Sequence, residues 1–104
     1  MNAQPLSPDT RDRLNAAFTP ADRAEAERML VHECGVNVPF CDESDSRSLE
    51  RLRYAAMKLS RGRLDRLREA IEGAKIDWRD LLMAAGFGSD VAEHERWWPG
   101  DRGS

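Results

Sequence analysis

This sequence is short of cysteine, lysine and long hydrophobic runs, and each shortage narrows what the chain can be. Two cysteines, Cys34 and Cys41, in 104 residues are too few for the disulfide framework that holds small secreted domains together. No stretch approaches the roughly 18 consecutive apolar residues that a membrane-spanning helix needs, so no membrane partner is expected. The opening Met1-Asn2-Ala3-Gln4-Pro5 has neither the basic start nor the apolar core of a secretory signal. A cytoplasmic location follows, where both thiols stay reduced. Lysine is confined to Lys58 and Lys75, the other basic residues being arginine. That bias fits a GC-rich coding genome and suggests a bacterial source.

Catalytic signatures are missing as well. The chain has no nucleophile elbow, phosphate-binding Walker loop, dinucleotide fingerprint or paired-histidine metalloprotease motif. Gly86-Phe87-Gly88 does not follow a strand pattern and reads as a helix stop rather than a phosphate cradle. Asp77 and Asp80 sit where a helix begins, so they read as caps rather than paired catalytic acids. The expectation is a protein that is not an enzyme and uses no cofactor.

What is present is helical punctuation. Apolar residues at 40% and charged residues at 34% describe a polar but folded chain, read as one domain over 1–104 with 1–6 and 100–104 as flexible ends. Ser7-Pro8 and Thr19-Pro20 each place a capping residue before a proline at the first helical position. They predict helices over 8–17 and from 20 to about Cys34, stopped by Gly35. Residues 35–46 form the one long non-helical stretch. Val36, Val38 and Phe40 alternate there, but a proline and the lack of a partner strand argue against a sheet.

A third helix over 46–60 carries Leu49, Leu52, Ala56 and Leu59 on one face. A fourth over 63–74 carries Leu64, Leu67, Ile71 and Ala74, with Gly62 at the break between them. Asp77 is placed to cap a fifth helix ending at Gly86, with Ile76 and Leu81 spaced as a hydrophobic staple. Ser89 caps a short last helix holding Val91, His94, Trp97 and Trp98. The fold class is all-α: a compact orthogonal bundle of five to six short helices and no sheet.

Three groups of residues could carry a function. The adjacent Trp97 and Trp98, with Phe87, suit a protein interface, because tryptophan dominates binding hot spots. Neighbouring residues on a helix differ by about 100°, so one indole should stay partly exposed. The second group lies in the charge pattern, which is acidic at both ends and basic over 47–79. Two consecutive helices joined by Ser60-Arg61-Gly62 invite comparison with a helix-turn-helix, with Arg61, Arg63 and Arg66 as nucleic-acid contacts. Interleaved Asp65, Glu69 and Glu72 favour instead a solvated, ion-paired face, with pairs such as Arg68–Glu72. The third group is His32, Cys34 and Cys41, with His94 as a fourth donor, which are zinc-type ligands at poor spacing. A Cys34–Cys41 disulfide is the other use of those thiols.

The leading expectation is a protein-interaction or regulatory module, its partner a second protein or another copy of the chain. Nucleic-acid binding through 47–68 is the alternative, and a zinc or redox site the lesser one.

Overall fold

A computed structural model describes residues 6–34, 46–87 and 93–99. It contains four α-helices, α1 (Pro8–Ala17), α2 (Pro20–His32), α3 (Ser46–Ser60) and α4 (Leu64–Ala85), followed by a single 3-10 turn, Glu93–Arg96. No strand occurs among the described residues, and none of their helices is long and apolar enough to cross a membrane. The all-α class holds, with four helices in place of the expected five to six. The stretch 35–45, the Ser89 cap, Cys41 and the two extreme ends lie outside the described residues. Leu6, expected in a flexible end, is buried in the core.

The caps explain the boundaries. Ser7 Oγ accepts the Thr10 N–H at 3.2 Å while Pro8 opens α1, satisfying one of the donors every helix start leaves bare. Phe18 leaves helical backbone conformation, and Thr19-Pro20 restarts the chain as α2, so that only the two cap residues Phe18 and Thr19 separate the helices. At the other end of the chain, Gly86 takes φ +83 and donates its N–H to Met83, while the Phe87 N–H reaches Leu82 C=O at 2.8 Å. This is the Schellman closure that a glycine stop makes possible.

The helix count falls because the two helices expected on either side of Asp77 run as one element. Asp77 itself is extended, at φ −152 and ψ 97, and its Oδ1 accepts the Arg79 N–H at 3.0 Å. The capping chemistry is therefore present as a kink inside α4. The staple is not formed: Leu81 is buried but Ile76 stands 88% exposed. The kink sends it to solvent instead of back over the next turn.

Core position is decided by α3, which packs chiefly against α4 and also meets α1 and the 3-10 turn. Every residue from Arg51 to Met57 is buried, so this helix is enclosed rather than one-sided. Leu52, Ala55 and Ala56 join Leu67, Ile71 and Ala74 of α4, Leu14 of α1 and Met29 and Leu30 of α2 in one cluster. The face assigned to solvent carries Arg51 and Arg53, and both are buried. Arg53 Nε donates to Leu30 C=O at 3.0 Å, in the last turn of α2, and Arg51 donates through Nε and an Nη to Phe87 C=O. A buried cation without such acceptors would be strongly disfavoured.

The turn from α3 to α4 is tight. Arg61 (φ 52) and Gly62 (φ 81) are both left-handed, Ser60 Oγ donates to Met57 C=O, and the Gly62 N–H returns to Ser60 Oγ. A β-carbon on Gly62 would stand 2.6 Å from the Ala17 carbonyl oxygen, whereas one on Gly73 in mid-α4 would meet nothing. Gly62→Ala is therefore expected to destabilise the fold by about 2 kcal/mol through clash and backbone strain. Gly73→Ala should stabilise it by about 0.5–1 kcal/mol. Urea unfolding of the two variants checks both signs, and equal effects would contradict this account of the turn.

Candidate interaction site

Arg13, on the exposed side of α1, organises the site. Its Nε donates to Trp97 C=O at 2.8 Å, one Nη to Glu95 C=O at 3.1 Å and the other to Asp9 C=O at 3.2 Å. Its guanidinium lies over the Tyr54 ring at 4.6 Å and the Trp98 ring at 5.2 Å. The planar fork of arginine suits this combination of divergent hydrogen bonds and ring stacking. One side chain thus ties the segment after the 3-10 turn to both α1 and α3.

The two tryptophans follow the last helical turn rather than belonging to it. They still divide as expected. Trp97 is buried, its ring 6.0 Å from that of Tyr54, while Trp98 keeps 43% of its surface exposed. Phe87, expected beside them on the surface, is buried with Lys58 Nζ 5.0 Å over its ring. Of the three aromatics proposed for an interface, Trp98 alone is presented to solvent.

Beside Trp98 lies a cleft of about 390 Å³. Ala16 and Ala17 from the end of α1 line it together with Met57 and Trp97, and Lys58, Arg61 and Gly62 complete it with Trp98 and Pro99. No carboxylate is among these residues.

Behind the tail sits a buried polar cluster. His94 has no exposed surface, and its ring packs edge-on against Tyr54 at 5.2 Å and Phe87 at 6.3 Å. Among the described residues neither imidazole nitrogen has a hydrogen-bond partner, and Glu50 Oε1 stands 3.7 Å from Nε2. The other oxygen of Glu50 accepts from Ser7 Oγ at 2.8 Å and Thr10 Oγ1 at 3.4 Å. Burial pushes the His94 pKa below its ordinary value and outweighs the opposing pull of Glu50 and Glu95. Burial, followed by the charge of Glu50, pushes the Tyr54 phenol up to about 12.

The basic stretch is only partly available. Arg51 and Arg53 are consumed inside the fold. Arg63 forms a two-point pair with Asp65, and Arg68 reaches Glu25 and Glu33 of the α2 region. The Arg68–Glu72 pair expected within α4 gives way to these and to Lys75–Glu72. Arg61 and Arg66 are exposed. Of the metal candidates, His32 is exposed at the end of α2 and Cys34 is buried two residues on. Cys41 lies outside the described residues, among which no three His, Cys, Asp or Glu side chains converge.

Sequence reasoning missed Arg13, Glu50 and Tyr54. No local signal marks them: the two tail carbonyls that Arg13 holds are 82 and 84 positions away.

Two expectations follow. Arg13→Ala should loosen the tail and destabilise the fold by about 2 kcal/mol, the scale of a charge-assisted hydrogen bond together with the lost ring stacking. Arg13→Lys should fail to restore it, because an ammonium cannot bridge two carbonyls while stacking. Amide hydrogen exchange at Trp97 and Trp98 reads the loosening directly. The second concerns pH. Burial disfavours the protonated form of His94 in the fold, whereas the unfolded chain takes up a proton there near the ordinary pKa of about 6.5. The unfolded state then binds more protons as pH falls through that value, so stability should drop. Urea unfolding between pH 7.5 and 5.5 should show this drop in the native chain and a flatter response in His94→Phe. Identical slopes would be inconsistent with an imidazole whose protonated form burial disfavours.

No protein-family model matches the chain, and neither a curated protein nor a solved structure is similar enough to it to count as a match.

Proposed function

We propose that this chain is a non-enzymatic interaction module, at work in the cytoplasm of a bacterial cell, that docks a protein partner on the surface around Trp98. One observation carries the reading. Trp98 is a large exposed aromatic whose ring is stacked on Arg13, and Arg13 is itself fixed by two tail carbonyls. A preformed aromatic anchor beside a concave surface contributes binding energy without the entropy loss of ordering a loose side chain.

The Ser7–Glu50–His94 cluster lends no support to nucleophilic catalysis. Activation of a hydroxyl needs the imidazole between hydroxyl and carboxylate, whereas here the carboxylate stands between them. The nucleic-acid reading is weakened by the interior use of Arg51 and Arg53 and by the acidic partners of Arg63 and Arg68.

Native mass spectrometry combined with affinity capture tests the proposal. Trp98→Ala is expected to leave stability within about 0.5 kcal/mol, as for an exposed site. It should weaken partner or self-association at least about tenfold, as for a hot spot. Association unchanged by Trp98→Ala would remove the reading.

A further inference from the structure

The docking reading says where a partner sits, and the lining of the cleft says what chemistry that partner brings. The chain carries 19 acidic residues against 16 basic ones, yet among the described residues the charged ones lining the cleft are Lys58 and Arg61, with no acid in that lining. Lys58 alone has a simpler explanation, since it stands in the last turn of α3, where the helix dipole favours a cation. Arg61 does not. Its backbone is left-handed at φ 52, next to Gly62 at φ 81, and a residue with a β-carbon is disfavoured there. Backbone geometry by itself would select a second glycine, so the guanidinium accounts for the residue where the main chain does not.

The remaining walls are apolar: Ala16, Ala17, Met57 and Trp97, with Trp98 and Pro99 beside them. A volume of about 390 Å³ accommodates one or two side chains rather than a whole helix.

Resting on the docking reading above, we propose that the cleft receives an acidic segment of a protein partner. An apolar or aromatic side chain of that segment packs against Trp98 and the end of α1. A neighbouring carboxylate of the same segment meets Lys58 and Arg61. Complementary charge at the rim supplies selectivity and speeds encounter, and burial against the indole supplies affinity.

The test uses the whole chain and three synthetic tetrapeptides, Ac-Glu-Leu-Phe-Glu-NH2 and its Gln and Lys counterparts. Binding is followed through the indole N–H resonance of Trp98. The acidic peptide is expected to bind at least about tenfold more tightly than the Gln peptide, with the advantage shrinking as salt rises. Arg61→Gly suits the left-handed backbone and removes the guanidinium together with its stem, and Lys58→Gln removes the other cation at nearly constant length. Each should reduce that advantage severalfold while thermal unfolding shows the fold intact.

Equal binding of the three peptides, binding by none of them up to millimolar concentration, or an acidic preference indifferent to both variants would overturn the charge assignment. Displacement of the acidic peptide by short duplex DNA, with affinity for the duplex lost in Arg61→Gly, would overturn it in favour of a nucleic acid. These failures are distinct from failure of the docking reading, which falls only if association of the whole chain ignores Trp98→Ala.

Discussion

The structure depends on enclosing α3, a helix that carries two arginines through its most buried stretch. Desolvating a guanidinium is costly unless its donors are met, so α3 can sit at the centre only where neighbouring chain ends bring carbonyls to it. Leu30 C=O, left without an intrahelical partner by the end of α2, meets Arg53, and Phe87 C=O, just past the glycine stop of α4, meets Arg51. The same contacts answer two needs at once: buried donors find acceptors, and the unsatisfied carbonyls of helix termini find donors. Packing of Leu52, Ala55 and Ala56 against Leu67, Ile71 and Ala74 supplies the hydrophobic driving force. The arginines decide where α2 and the end of α4 must lie relative to it.

Arg13 repeats this arrangement on a more exposed side, and the repetition links fold to surface. It holds the carbonyls of Glu95 and Trp97 and stacks on Tyr54 of α3, so the tail is fastened to the central helix through α1. Trp97 is thereby turned inward and Trp98 outward. Gly62 acts from the opposite side of the cleft, because the closeness of its turn to the Ala17 carbonyl brings Arg61 and Lys58 up to the end of α1. The aromatic and the cationic residues of the cleft are thus set by two tight contacts, neither involving a residue that would touch a partner through its own charge or ring face.

His94 shows what that docking demands. Its imidazole fills space between Tyr54 and Phe87 without a hydrogen-bond partner among the described residues, so burial disfavours its protonated form and couples the tail to acidity. Glu50 is occupied by Ser7 and Thr10, which tie the start of α1 to the same region of α3. Both ends of the described chain therefore converge on one stretch of one helix.

Secondary structure was legible in the sequence because its signals are local. Ser7-Pro8, Thr19-Pro20, Gly62, Asp77 and Gly86 each act on the backbone within a few residues, and the helices start and stop at or near those positions. The three- and four-residue spacing of apolar residues in α3 and α4 likewise identified one buried face of each. The same local reading sent Arg51 and Arg53 to solvent, placed Ile76 in a staple and put Phe87 on the surface. A side chain's burial depends on which distant elements surround it, and a periodic pattern describes only the element that carries it. Residue types and spacing by themselves determined an all-helical chain with its breaks in place. The tertiary structure alone decided that α3 is enclosed, that Arg13 fastens the tail, and that Lys58, Arg61 and Trp98 meet around one cleft. Each of those depends on hydrogen bonds or packing between residues tens of positions apart, and these exist only once the chain has closed on itself.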